Sequence, residues 1–124
     1  MIRKIRICQI LNTHIADEGR TELHDTLSLT GAEISMTTLP AGECIPFSHY
    51  HKNNEEIYGV ISGNGKAVID GEEVILTKGD WVKISPKAKR QFFADKNSPI
   101  TYICVQVKEN SLEEYMMNDG VVVE

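Results

Sequence analysis

The sequence predicts an all-β domain built from short antiparallel strands, as in a barrel or a sandwich. Three observations support this prediction: short segments of β-forming residues alternate apolar with polar positions, turn signals containing Gly, Asp, Asn or Pro recur between them, and strands do not alternate with helices. The chain has 124 residues, which is the length of one ordinary domain. We therefore expect a single domain that spans residues 1–124.

The first elements lie outside the expected barrel core. Residues 2–11 alternate apolar and charged side chains and predict a strand, whose pairing with a second copy of the chain would cover an exposed edge. Residues 12–29 are polar and mixed, so we expect a loop with one short helical turn. The core is expected at about residues 30–107, and its first strand at 32–39.

The remaining strands of the core are short and separated by turns. Ser62-Gly63-Asn64-Gly65 predicts a tight turn, and Asp70-Gly71 predicts a hairpin turn. Pro46 has no backbone N–H, so the strand around it is expected at an edge or a bulge. The expected strands cover residues 43–51, 55–61, 66–69, 72–76, 81–84, 90–94 and 100–107.

The C-terminal residues 108–124 are expected to form a tail with a short helix. Ser111-Leu112-Glu113-Glu114 has the pattern of a capping box, in which a Ser and a Glu three residues later satisfy the first N–H groups of a helix. Gly120 is a typical helix stop.

Charge and hydropathy argue against two classes of partner. The net charge of -5 and the absence of a basic run do not fit nucleic-acid binding. No apolar run reaches the roughly 18 residues of a membrane-spanning helix. The N-terminus also lacks the apolar stretch of a secretory signal, so a cytoplasmic location is the default expectation.

The triplet His49-Tyr50-His51 is the most informative part of the sequence. Side chains at i and i+2 of a strand point to the same face, so both imidazoles can bind one metal ion. A carboxylate follows after a short loop, at Glu55 or Glu56. Two His and one carboxylate suit Fe(II) and related ions, and zinc and manganese are also acceptable. If Glu56 faces the interior, Tyr58 does so too.

Two separated motifs resemble those of the cupin superfamily. This resemblance implies a small single-domain protein of the cupin 2 conserved-barrel type, an antiparallel double-stranded β-helix or jelly-roll barrel. The first motif carries one residue more than usual before its first His. The motifs read Gly42-x6-His49-x-His51-x4-Glu56-x6-Gly63 and, further along, Gly71-x7-Gly79-Asp80 followed by Ile84-Ser85-Pro86 and Arg90-Gln91-Phe92.

The resemblance implies that His49, His51 and Glu56 are three of the four usual metal ligands of the family. The fourth is normally a His, and Arg90 stands at its position. A guanidinium stays protonated and is not an ordinary metal ligand. Either three ligands hold the metal while Arg90 binds an anionic substrate, or Arg90 pairs with Glu56 where the metal would otherwise lie.

Three functions are compatible with these residues. The first is a protein that binds one divalent metal (Fe, Zn, Mn or Ni) and acts on or binds a small anionic molecule, with Arg90 and Tyr58 in contact with that molecule. The second is a metal-free sensor that binds a sugar or a small acid without catalysis. The third is a metal-free cupin that resembles isomerases. Whether the protein is an enzyme stays open, and the resemblance implies a homodimer.

Overall fold

The computed structural model describes residues 3–4, 11–15, 18–115 and 119–123. Every regular element in these residues is a strand, and every strand pair is antiparallel, which confirms the predicted all-β class. The strands of this described part are β1 (Arg3–Lys4), β2 (Leu11–Asn12), β3 (Gly19–Glu22), β4 (Glu33–Leu39), β5 (Asn54–Ile69), β6 (Glu72–Thr77), β7 (Trp81–Ile84), β8 (Arg90–Ala94) and β9 (Ile100–Lys108).

The long strand β5 joins the two sheets of the barrel. Its first half pairs with β9 and β7, and its second half pairs with β6 and β8. The pairing with β9 shifts register between Val60 and Ser62, where the strand carries a bulge. Strands β3 and β4 extend the first sheet beyond β9. The two sheets therefore enclose a shared interior whose side chains come from both halves of β5.

The tight turn predicted at residues 62–65 is wrong, because β5 runs through this segment without a break. Gly63 has a φ of +81° and lies against the backbone of Pro99, and Gly65 lies against the carbonyl of Phe93. These glycines permit a bulge and close packing between neighbouring backbones. The glycines are therefore required by the structure, but for the passage of β5 from one sheet to the other and not for a turn.

The core consists of apolar side chains on the inward faces of both sheets. Segment 43–49 runs beside β8: the N–H of Ile45 donates to the carbonyl of Phe92, and His49 and Arg90 exchange both backbone hydrogen bonds. Pro46 is tolerated because this segment forms only isolated bridges with β8, at Cys44 and His49. The most buried apolar side chains are Leu39, Tyr58, Val60, Ala67, Leu76, Ile84, Phe92, Ile100, Tyr102 and Cys104.

The structure also changes the reading of the N-terminal region. The strand predicted over residues 2–11 lies mostly outside the described residues, and its described ends pair with each other in antiparallel fashion at Lys4 and Leu11. A strand that was not predicted, β3, lies within the segment expected to be a loop. The expected helical turn follows it, where the N–H of Leu27 donates to the carbonyl of Leu23.

The predicted C-terminal helix is not present in residues 111–115 or 119–123, and residues 116–118 lie outside the described part. The Ser111 hydroxyl donates to the carbonyl of Lys108 at 2.6 Å and closes a turn. Of the described residues in this segment, Leu112 and Tyr115 are exposed, so neither contributes burial that could stabilise a short helix. Within the described residues, no helix is long and apolar enough to cross a membrane.

Candidate metal and ligand site

Strand β5 places one carboxylate of the predicted pair in the interior. Glu56 is 4% exposed and lies opposite Gln106 of β9 and Ile84 of β7. Tyr58, two residues along, is buried on the same face, as strand alternation requires. Glu55 borders a different, outer groove beside Ile57. The structure therefore selects Glu56 over Glu55.

The two imidazoles approach Glu56 from the segment that follows Pro46. Nε2 of His51 lies 3.1 Å from Oε2 of Glu56, and Nε2 of His49 lies 3.8 Å from Oε1. The rings of His49 and His51 meet edge to face, with centroids 5.2 Å apart. One ligand atom from each of the three residues lies within 4.8 Å of the others. The sequence prediction that these three side chains meet is thus confirmed.

Glu56 is the centre of a buried hydrogen-bond network. The Tyr58 hydroxyl donates to Oε1 at 2.6 Å, and Nη1 of Arg90 donates to the same oxygen at 2.9 Å. The Cys104 thiol donates to Oε2 at 3.4 Å. Arg90 is fully buried, and its Nη2 donates to the carbonyl of Ser85. The Arg90–Glu56 ion pair that the sequence left as one of two alternatives is therefore formed.

These contacts set the protonation states of the site. Burial raises the pKa of Glu56, but the hydrogen bond from Tyr58 and the charges of His51 and Arg90 outweigh it, so the net pKa lies below its ordinary value. Burial also lowers the pKa of His49, and the neighbouring His51 and Arg90 add to that effect. At neutral pH the site thus presents a carboxylate and a neutral His49 imidazole, the forms that bind metals.

The buried thiol and phenol near Glu56 stay protonated at neutral pH. Burial, together with the charge of Glu56, raises the pKa of Cys104 to about 12. Burial is also the main reason that the pKa of Tyr58 lies far above its ordinary value. Cys104 is therefore not a thiolate ligand or a reactive nucleophile in this environment.

A cavity of about 220 Å³ opens beside this network. The rings of Tyr58, Phe92 and Tyr102 pack together along its wall, with centroids between 4.3 and 5.7 Å apart. Its volume is below the range of about 300–1,000 Å³ that is typical for drug-sized ligands, so it suits a small molecule. The cavity is lined by Arg20, Ile45, Phe47, His49, Glu56, Tyr58, Arg90, Gln91, Phe92, Tyr102 and Cys104.

Several lining residues were not predicted from the sequence. Arg20 lies in a segment that was expected to be a loop, and no local pattern pointed to it. Phe47, Gln91 and Cys104 also line the cavity, and the sequence did not predict this. Cys44, which is near the His pair in the sequence, is exposed.

The residues present fit one metal ion. Nδ1 of His49 and Nε2 of His51 are buried and form no hydrogen bond of acceptable geometry, although His51 is close to the carboxylate. Buried polar atoms without partners are uncommon and call for an explanation such as an ion. Arg90 and Tyr58 occupy Oε1 of Glu56, whereas Oε2 faces His51 and Cys104. Two imidazoles and one carboxylate are a normal donor set for zinc or Fe(II).

A family model and a solved structure that are similar to this chain both belong to the same protein family. The model of the Cupin domain (Cupin_2) matches residues 35–106. A crystal structure of a cupin protein from Bacteroides fragilis is 54% identical, with a TM-score of 0.88, and the alignment covers 91% of this chain and 96% of that one.

Two more distant proteins are also similar to this chain. A Cupin 2 conserved barrel domain protein from Salinispora arenicola is 20% identical, with a TM-score of 0.64 over 73% of this chain and 75% of that one, which supports the fold alone. An uncharacterized protein of Methanocaldococcus jannaschii is 32% identical over 66 residues, or 53% of each protein, so this chain spans about half the length of that relative. The two-sheet barrel, the His and Glu residues on its inner face and the family match over more than half of the chain together establish that the chain belongs to the cupin superfamily, as a domain of the cupin 2 type.

Proposed function

We propose that this protein binds one divalent transition metal through His49, His51 and Glu56, and that a small anionic molecule binds in the adjoining cavity. The observation that carries the proposal is the meeting of two imidazoles and one buried carboxylate, with ligand atoms within 4.8 Å of one another. Nε2 of His51, which faces Glu56, is buried without a hydrogen bond of acceptable geometry, and an ion at this position would supply its partner. Iron, zinc, manganese and nickel are all compatible with this donor set.

The neighbouring residues would prepare Glu56 for this role. Arg90 and Tyr58 hold Oε1, so the carboxylate cannot rotate freely, and such outer contacts orient metal ligands in known sites. A bound ion would supply Lewis acidity toward an oxygen of the small molecule. Direct binding of that molecule by Arg90 and Tyr58 stays a prediction. Both line the cavity. The Tyr58 hydroxyl would have to share or release its bond to Glu56 in order to donate to the molecule, whereas Nε of Arg90 has no hydrogen-bond partner.

The second candidate is a metal-free pocket that binds a small molecule. One observation favours it: the Nη1 of Arg90 already neutralises Glu56 at 2.9 Å, without any ion. In that case His49 and His51 would contribute hydrogen bonds to the ligand. The two candidates differ in the metal content of the protein, so a single type of measurement separates them.

The test is metal stoichiometry of untagged protein, purified without chelators and then titrated with Zn²⁺, Co²⁺, Mn²⁺ and Ni²⁺. We expect the wild type to bind one ion per chain. The variants His49→Ala, His51→Ala and Glu56→Gln should each lose more metal affinity than the roughly 10- to 100-fold that is lost when a residue contacting a ligand is removed. His24→Ala is the matched control, because its imidazole pairs with Asp25 on the surface and lies outside the group of ligand atoms. If the wild type bound less than roughly 0.1 ion per chain in every titration, the metal site would be excluded and the metal-free pocket favoured.

The assembly and location are part of the same proposal. We expect a homodimer, because pairing would cover the exposed sheet edges of a small barrel. We also keep the cytoplasmic location that the sequence predicts. Large apolar side chains such as Ile75 and Trp81 are exposed in the single chain and would be available for such contact. Light scattering after gel filtration should give twice the 13.9 kDa of one chain, and a mass of one chain would exclude the dimer.

A further inference from the structure

Arg20 lies at the cavity although it is far from both cupin motifs in the sequence. It belongs to β3, where it is paired with Thr37 of β4, and Thr37 is in turn paired with Tyr102 of β9. Cross-strand partners point to the same face of a sheet. Thr37 and Tyr102 are buried, and Tyr102 lines the cavity, so this row of three residues carries the Arg20 guanidinium to the cavity wall.

The guanidinium of Arg20 is anchored but not saturated. Its Nη1 donates to the Thr37 hydroxyl at 3.2 Å, and its Nη2 donates to the Glu22 carboxylate at 3.3 Å. A guanidinium has five N–H donors, so three are left after these two contacts. About half of the side chain is exposed. Arg20 therefore combines a fixed position with donors that a ligand can reach.

The other cation of the cavity differs in its burial and in the kind of ion pair that it forms, although its Nε is also without a hydrogen-bond partner. Arg90 is fully buried, and its two terminal nitrogens donate to Glu56 and to the carbonyl of Ser85. Its charge is neutralised by a buried carboxylate at 2.9 Å, whereas the Glu22 partner of Arg20 is largely exposed and screened by water. Among the residues that line the cavity, Arg20 is therefore the cation that is available to an anion.

The remaining lining residues limit the kind of anion. Many of the remaining lining residues have aromatic or aliphatic side chains, including Phe47, Phe92 and Ile45, which form an apolar wall. Burial raises the pKa of the Tyr102 phenol to about 12, and the nearby charge of Arg20 opposes that rise, so this wall stays uncharged at neutral pH. A small molecule with one planar carboxylate and a short apolar body matches a guanidinium fork beside such a wall.

We propose that Arg20 is the residue that recognises the carboxylate of a small, partly apolar acid in this cavity. The inference rests on the proposed binding of a small anion, and it assigns to Arg20 the recognition that the sequence predicted for Arg90. Arg20 lies before the residues 35–106 that the family model matches. The specificity of this cavity would thus come from a segment outside the shared part of the family.

The test uses NMR titration to measure the binding of matched pairs of acids and amides. The probes are acetate, butyrate and benzoate, each compared with its neutral amide. The proteins are wild type, Arg20→Gln, Arg20→Lys, Arg90→Gln and Lys83→Gln. Lys83→Gln removes an exposed cation of β7 that does not line the cavity. We expect at least one acid to bind the wild type and the control with equal affinity.

The expected result is selective for charge. Arg20→Gln should weaken binding of the acid about 10- to 100-fold and leave binding of the amide unchanged, since the loss is that of a charge-assisted hydrogen bond. Arg20→Lys should recover part of the affinity, because it keeps the charge and loses the fork. Equal weakening of acid and amide would indicate a merely structural role and would overturn the proposal. So would the absence of saturable binding for every acid.

Metal content is measured in the same samples, which separates the two proposals. If Arg20→Gln keeps the zinc stoichiometry of the wild type and loses acid binding, both proposals are supported. If neither the wild type nor Arg20→Gln binds zinc but binding of the acid still depends on Arg20, the metal proposal is excluded and the proposed role of Arg20 is supported. If zinc binds and Arg90→Gln, rather than Arg20→Gln, abolishes acid binding, the role of Arg20 is excluded and that of the metal stands.

Discussion

At the scale of single residues, Glu56 determines the character of the site. Its two oxygens receive hydrogen bonds from a phenol, a guanidinium and a thiol, and two imidazoles lie within 4 Å. A carboxylate that is 4% exposed requires such compensation, because burial of an unpaired charge is costly. Each of these neighbours therefore has an effect on stability as well as on chemistry.

We predict that Arg90→Met in metal-free protein lowers the free energy of unfolding by about 3–5 kcal/mol, because the buried Glu56 carboxylate then loses the guanidinium that neutralises it. The double variant Arg90→Met/Glu56→Met should recover most of this loss, since apolar residues of similar volume can replace a buried pair. Urea denaturation measures both values. Glu73→Gln, which breaks an exposed pair with Lys66, is the control and should cost no more than about 1 kcal/mol. A loss of that small size for Arg90→Met would contradict the interpretation.

A second prediction concerns pH and His49. Burial lowers the folded-state pKa of His49 below the ordinary value of 6.5, so the folded state resists protonation. Stability is then fully present above pH 6.5 and is lost as pH falls through the folded-state pKa. Metal-free wild type should lose stability in this window, and His49→Gln should lose less. An identical slope in both proteins, measured by urea denaturation at a series of pH values, would show that His49 is not responsible.

At the scale of elements, the bend of β5 decides which side chains share the cavity. The bulge near Ile61 and the close backbone contacts of Gly63 and Gly65 let one strand serve both sheets. The half that belongs to the first sheet carries Glu56 and Tyr58. The half that belongs to the second sheet pairs with β8, which carries Arg90 and Phe92. The site exists because these halves face each other.

Gly63→Ala should therefore destabilise the protein by roughly 3 kcal/mol or more, since a methyl group would meet the Pro99 carbonyl and the backbone has a φ of +81°. Gly71→Ala is a matched control. Its φ is +85°, but nothing lies within 4 Å of the added atom, so only the backbone penalty of about 1–2 kcal/mol is expected. Thermal and urea unfolding of both variants test the difference. Similar losses would mean that the contact with Pro99 is unimportant.

At the scale of the whole molecule, the barrel does not depend on a metal for its core. Within the part of the chain that the structure describes, the core is formed by ten buried apolar residues from both sheets, and none of the three proposed ligands is among them. We predict that removal of metal with EDTA leaves the far-UV circular dichroism and the cooperative unfolding unchanged. Zinc at about 100 times its Kd should then raise the free energy of unfolding by about 2.7 kcal/mol. Unfolding upon chelation, or no effect of zinc, would contradict this prediction.

The sequence by itself determined the all-β class, most of the strands and the meeting of His49 and His51 with a carboxylate. These features depend on local alternation and on short spacing, which a strand converts directly into a shared face. The resemblance to cupins added the expected barrel and drew attention to Arg90. The C-terminal helix was predicted by a capping pattern, but that pattern could not reveal that Leu112 and Tyr115 would be exposed and would not stabilise a helix by burial.

Only the tertiary structure decided how the charges are paired and which residues line the cavity. The pairing of Arg90 with Glu56 joins residues 34 positions apart, and its geometry depends on the packing of β5 against β8 and segment 43–49. Arg20 reaches the cavity because β3 pairs with β4 and β4 pairs with β9, a register that its polar surroundings in the sequence do not encode. Local patterns specify the faces of strands, whereas the contacts between distant strands depend on how the whole barrel closes.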